Sequence, residues 1–161
     1  MFDQFTDQYI SVSLRQYNAV NLDPIQYRFI KTQEKLYAGW ETVSIENLTA
    51  KIAFAEKALV DIIHFRTSKY AVDLVIEKLQ DHEGDLDMTR LYDFASQASL
   101  KTLKIFGLVF DLLGLNSDQL FQLLEGSKST HRMSSEDKTF NAKWRLYYDK
   151  YFDKYIRKNK S

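Results

Sequence analysis

Apolar residues recur at three- and four-residue intervals along most of the chain, a spacing that predicts helices. The strongest run is residues 44–80. There Ile45, Leu48, Ile52, Ala55, Leu59 and Ile62 form one stripe, and Ala50, Phe54, Ala58, Phe65 and Val72 form a second on nearly the opposite side. A surface helix needs one apolar stripe, so two predict a helix covered from both sides. This is the expected centre of the molecule. Before it stands a helix over 3–20, with Phe5, Tyr9, Val12 and Tyr17 inward. A stop follows at Asn21–Pro24, where Asp23 caps a second helix and Pro24 takes its first position. That helix carries Ile25, Phe29, Leu36 and Tyr37 and ends at Gly39. Trp40 to Ser44 is a connection, and Ser44 an N-cap.

After a polar turn at 81–87, a long helix spans 88–115, with Leu91, Ala95, Ala98, Ile105, Val109 and Leu112 as its seam and Gly114 at its end. A short helix at 118–125, a loop at 126–135 and a last helix at about 135–158 complete the chain. No repeat and no useful strand alternation is visible. The expected architecture is one all-α domain over residues 1–161, a bundle of five to six helices around a central buried one.

Composition narrows this reading. One Pro and five Gly suit long helices. The absence of Cys excludes disulfides, zinc–thiolate sites and thiol catalysis. No apolar run has membrane-spanning length, and Met1 to Gln4 lacks the basic start of a signal peptide, so a cytoplasmic protein with no membrane contact is expected. The net charge is zero but uneven. From Lys143 onward seven Lys/Arg face two Asp, a net +5, which leaves 15 against 20 and a net −5 for the rest. A basic tail on an acidic body suggests an interaction segment, or one that packs back on its own body.

Asp61 interrupts the second stripe between Ala58 and Phe65. A carboxylate there is costly unless paired, hydrogen-bonded or bound to a cation. Its surroundings, Leu59-Val-Asp61-Ile-Ile-His64-Phe65, resemble the second metal motif, E-x-x-D-x-x-H-F, of the dimeric all-α dUTPases and their MazG-type pyrophosphohydrolase relatives. Leu36-Tyr-Ala-Gly-Trp40 is similar to the aromatic stretch that precedes that motif. Residues 106–121 resemble the family's helix, Leu-Gly break and short following helix. Lys128, His131 and Arg132 stand where the family carries a basic phosphate loop. The resemblance covers about residues 25–135 and implies an all-α fold, a homodimer and Mg²⁺-dependent nucleotide hydrolysis.

The chain departs from the pattern where catalysis needs it. Two carboxylates one turn apart must hold Mg²⁺ against substrate phosphates. The stretch from Gln26 to Glu34 has no such pair, and Ala58 stands where the second motif has its first acid. Glu56, five residues before Asp61, has poor helical spacing to it. The expectation is therefore an accessory protein without a metal or cofactor, a partner of a replication or other nucleic-acid enzyme, with Asp61 and His64 as remnants. The alternative is a divergent hydrolase in which Glu34, Glu56 or Asp111 joins Asp61 in rebuilding a Mg²⁺ site.

The last helix carries the binding chemistry in this reading. Phe140, Trp144, Tyr147, Tyr151 and Tyr155 recur at helical spacing, beside Lys143, Lys150, Lys154 and Arg157. Rings beside a line of cations suit single-stranded nucleic acid, whose bases stack and whose phosphates pair. They also suit a partner protein's groove, or closure of the protein's own core with the lysines solvated.

Overall fold

The computed structural model describes residues 8–22 and 25–156, and the fold is mixed α/β, not an all-α bundle. The chain divides into two units, residues 1–39 and 40–161. Residues 3–7 of the first expected helix, the Asp23–Pro24 cap and Arg157 lie outside the described residues.

The first unit holds three strands: β1 (Gln8–Ser13), β2 (Val20–Leu22) and β3 (Ile25–Lys31). Their order is β1-β3-β2, with β1 parallel and β2 antiparallel to β3. Both helices expected before Gly39 are thus replaced by strands and a 3-10 turn at Glu34–Leu36. Ile25, Tyr27 and Phe29 alternate with Gln26 and Arg28, which is strand chemistry.

The second unit opens with a hairpin, β4 (Trp40–Ile45) and β5 (Leu48–Ala53). Its two-residue turn is Glu46–Asn47, with φ of 46° and 68°. Positive φ at both positions gives the primed turn that matches strand twist, and Asn tolerates it. The expected 44–80 helix is therefore three elements: this hairpin, α1 (Ala55–Phe65) and α2 (Lys69–His82). The last two part at Arg66–Ser68, where the Ser68 hydroxyl accepts from Ala71 N at 3.1 Å and caps α2.

The expected 88–115 helix is likewise two, α3 (Met88–Ala98) and α4 (Leu100–Leu113). Ser99 is extended, and its hydroxyl caps α4 through Thr102 N at 3.1 Å. Gly114 ends α4 in the left-handed region, as its position in the sequence predicts. The short helix α5 is Asp118–Gln122.

The helix at the centre is α4, not the one containing Asp61. Every residue from Thr102 to Phe110 is buried. Leu59, Val60 and Ile63 of α1, Val72, Val75, Ile76 and Leu79 of α2, and Leu91 and Ala95 of α3 join the same core. Glu56, buried at the start of α1, accepts from Asp87 N at 2.7 Å and lies 3.5 Å from Arg90, so it ties α1 to the start of α3.

The expected C-terminal helix is also overturned. In its place are β7 (Thr139–Asn141), β8 (Leu146–Tyr148) and a 3-10 segment, Lys150–Tyr155. With β6 (His131–Arg132) they form a sheet in the order β6-β8-β7. The Asn141 side chain accepts from Trp144 N at 3.0 Å and Arg145 sits at φ 50°, which reverses the chain between β7 and β8. No helix among the described residues is long and apolar enough to cross a membrane.

Candidate nucleic-acid interface

The C-terminal sheet is anchored to α4 around Trp144. Trp144 is fully buried and its ring packs against Gly107, where an added Cβ would come within 2.3 Å of it. Its indole N–H donates to Asp111 Oδ2 at 2.7 Å. The other oxygen, Oδ1, accepts from Ser117 Oγ at 2.5 Å and Lys143 Nζ at 2.9 Å. Lys143 also donates to Ser117 Oγ at 2.8 Å. Trp144 and Lys143, both expected to bind a partner, therefore build the anchor. Asp111, invoked for a metal site, is its acceptor.

With the inner side of the sheet anchored, strand alternation sends alternate residues outward. Leu146 and Tyr148 are buried, and Tyr147 between them faces out. Tyr147 pairs in register with Arg132 on one side and Phe140 on the other. The three side chains form one row across three strands. The Arg132 guanidinium lies 4.0 Å from the Tyr147 ring centroid, and the Phe140 ring lies 4.8 Å from it on the other side. Arg132 is held from behind by the Asp137 carbonyl, to which it donates. Phe140 is 45% exposed. Arg145 adds a second cation to this side, its guanidinium 3.3 Å from Thr130 Oγ1.

The remaining expected rings turn away from this row. Tyr151 and Tyr155 donate to the two oxygens of Asp73 on α2, at 2.7 and 2.6 Å. Lys154 donates to the Tyr151 hydroxyl and lies 3.9 Å from Asp73. Lys69 of α2 pairs with Asp149 at 2.8 Å. These contacts strap the 3-10 segment to α2. Tyr148 donates to Asp153 at 2.8 Å, and burial with that bond pushes its phenol up to about 12. Lys150 stays exposed at an open cleft of about 370 Å³, where Lys138 and Lys150 are offset by Glu136, Asp137 and Asp149.

The loop before β6 bears the three phosphate-loop candidates, and the structure separates them. Lys128 is exposed, Arg132 belongs to the outer row, and His131 points to α4. There Lys104, fully buried, has its Nζ 2.5 Å from the Ser129 carbonyl, 3.2 Å from Ser129 Oγ and 3.2 Å from His131 Nδ1. Burial lowers the Lys104 amine below the usual lysine value, and Arg145 lowers it further. Burial lowers His131 too, with Lys104 and Lys101 adding to the effect.

Asp61 pairs with Lys57 one turn before it at 2.5 Å, and both are largely buried. Burial raises its carboxyl above the usual range, partly opposed by Lys57 and His64. His64 Nδ1 lies 3.2 Å from Thr102 Oγ1. Among the described residues no three His, Asp or Glu side chains are placed to hold a metal ion.

Four residues that matter here have weak signals in the sequence. Lys104 sits in an apolar helix, Thr130 is an ordinary loop residue, Arg145 owes its place to a positive φ, and Phe140 pairs only through strand register. No family model matches the chain, and neither a curated protein nor a solved structure matches it significantly.

Proposed function

We propose that the protein is an accessory binding protein that takes single-stranded nucleic acid on the outer face of its C-terminal sheet. The observation that carries this reading is the in-register row Arg132–Tyr147–Phe140, an exposed ring, a half-buried ring and a cation across three strands. Bases stack on aromatic faces with little regard for sequence, at roughly 1–3 kcal/mol per base. Arg132 and Arg145 supply the charge for backbone phosphates on the same face, and neither has a carboxylate ion-pair partner among the described residues. A role beside a replication or other nucleic-acid enzyme accords with this chemistry. The acids that a hydrolase would need are engaged separately: Glu56 on the α3 terminus, Asp61 on Lys57, and Asp111 on the tryptophan anchor.

The test is fluorescence anisotropy with labelled oligonucleotides at two salt concentrations. Tyr147→Ala should weaken single-strand binding by about 5- to 150-fold, the equivalent of one lost stack. Arg145→Gln should weaken all sequences alike and flatten the log–log salt dependence by about 0.7. Wild-type protein that binds no oligonucleotide at low salt would end this reading.

A further inference from the structure

We propose that His131 is a proton-operated latch: with its ring neutral it seats β6 on α4 and keeps Arg132 in the outer row, and a proton on the ring releases both. The effect of the latch on binding rests on the nucleic-acid reading of that row.

Two lysines of α4 build the latch. The fully buried Lys104 Nζ lies 2.5 Å from the Ser129 carbonyl, 3.2 Å from Ser129 Oγ and 3.2 Å from His131 Nδ1. An ammonium has three N–H groups and no lone pair. These three acceptors take one N–H each. His131 Nδ1 therefore presents a lone pair, which leaves the proton of the neutral ring on Nε2. One turn earlier on α4, Lys101 donates to the Met133 carbonyl at 3.1 Å. The two lysines grip residues 129–133 from behind, and Arg132 stands between the points they hold.

The strand they hold is short. β6 has two residues, where strands usually run 3–10. His131 N donates to the Arg145 carbonyl at 3.1 Å, and Met133 N to the Tyr147 carbonyl at 2.9 Å. Met133 is buried and makes a fixed end, whereas Ser129, Thr130 and Arg132 are exposed.

The charges that face His131 oppose a proton. On α4 they are Lys104 and Lys101. On the turn between β7 and β8 the neighbour is Arg145, whose guanidinium lies 3.3 Å from Thr130 Oγ1. On the segment itself Lys128 and Glu136 are exposed, and the Asp137 carboxylate accepts from Ser134 N at 2.7 Å. Among the described residues no carboxylate lies in ion-pair range of His131.

A proton can enter the ring only at Nδ1. There it meets an N–H of Lys104 in place of a lone pair, so a hydrogen bond is lost and two cations face each other. The ring relieves this by leaving Nζ. Once released, it has the ordinary histidine value near 6.5. Linkage raises the ratio of released to seated β6 by up to about tenfold for each pH unit below that value. Arg132 leaves with its neighbour, and Tyr147 loses the cation 4.0 Å from its ring. Single strands are then held at neutral pH and let go in acid. This is opposite to the ordinary trend, in which added positive charge strengthens phosphate binding.

The experiment follows the ¹⁵N-labelled full chain by NMR from pH 7.5 to 5.0, and its affinity for oligothymidine by anisotropy over the same range. At pH 7.5 the His131 proton should sit on Nε2. On acidification the amides of Ser129–Arg132 should shift together with the His131 ring, while those of α1 and α2 stay in place. Affinity should fall about fivefold at 0.1 M salt, the equivalent of one single-strand phosphate contact at a log–log slope of about 0.7. His131→Asn, which offers an Oδ1 acceptor and does not titrate, should bind equally at both ends of the range. A proton on Nδ1 at pH 7.5, a ring still neutral at pH 5.0, a ring that titrates without moving residues 129–132, or the same acid loss in His131→Asn would each overturn the latch. Wild type that binds no oligonucleotide at pH 7.5 would instead remove the binding reading, and the spectra alone would then decide the latch.

Discussion

Gly107→Ala isolates the contact on which the C-terminal sheet rests. In the wild type, a Cβ at residue 107 would meet three carbons of the Trp144 ring at 2.3–2.4 Å. Carbon atoms rest at about 3.5–4.0 Å, so the overlap exceeds an ångström. The indole cannot yield cheaply. It is fully buried, and a shift would stretch the 2.7 Å bond to Asp111. Nor can the helix, since α4 is buried from Thr102 to Phe110. Overpacking of this kind costs about 1–3 kcal/mol, and this overlap belongs at the upper end. Alanine returns about 1 kcal/mol through its better helix propensity. The net expected loss is about 2 kcal/mol, or a fall in melting temperature of about 4–8 °C for a domain of this size. Urea denaturation and thermal melting both read it. Gly107→Ala combined with Trp144→Phe should be less destabilised than the two single losses added together, because the smaller ring vacates the space. A Gly107→Ala protein as stable as wild type would refute the close packing of Trp144 on α4.

Further outcomes follow from other contacts. Trp144→Ala should cost about 3–5 kcal/mol of folding stability, whereas Lys150→Ala, at an exposed position, should change melting by less than about 0.5 kcal/mol. Asp61→Asn leaves Lys57 buried without its partner and should destabilise by about 3 kcal/mol, but Lys57→Met with Asp61→Leu should restore most of it; a double variant as unstable as the single one would argue against a buried pair. His131 has a folded-state value below its ordinary one. The unfolded chain therefore binds its proton more readily. The stability His131 contributes is complete above about pH 6.5 and is lost as pH falls from there through the lower, folded value. Melting between pH 7.5 and 5 should show this loss, and His131→Gln should flatten it.

The first apolar stripe shows why the fold was only partly legible. Residues 45, 48 and 52 are three and four apart, which is helix spacing. They also share one face of a hairpin whose two-residue turn occupies 46–47, since Ile45 faces Leu48 and Glu41 faces Ile52 in register. Periodicity cannot separate these cases, but Glu46–Asn47 between the apolar Ile45 and Leu48 was the available turn signal. Ser68 and Ser99 are ordinary N-cap residues, and either could have divided the long helices. The rings at 140, 144, 147, 151 and 155 misled in the same way. Their helical spacing belongs to strand, turn, strand and 3-10 segment in turn, so Trp144 faces inward while Phe140 and Tyr147 share the outer row. Gly114, the 118–122 helix and the cost of an unpaired Asp61 were readable, because each rests on local chemistry. Arg132 and Tyr147 were readable as residue types, but their pairing depends on strand register between residues 15 apart.

The most direct test of the binding face is amide chemical-shift mapping of the ¹⁵N-labelled protein during titration with a short oligothymidine. Shifts should concentrate at Thr130–Arg132, Thr139–Asn141 and Arg145–Tyr148, with the Asp73 strap and α1 unmoved, and Tyr147→Ala should move their midpoint to higher oligonucleotide concentration without altering the rest of the spectrum. Shifts centred elsewhere, or a wild-type spectrum unchanged by the oligonucleotide at low salt, would contradict it.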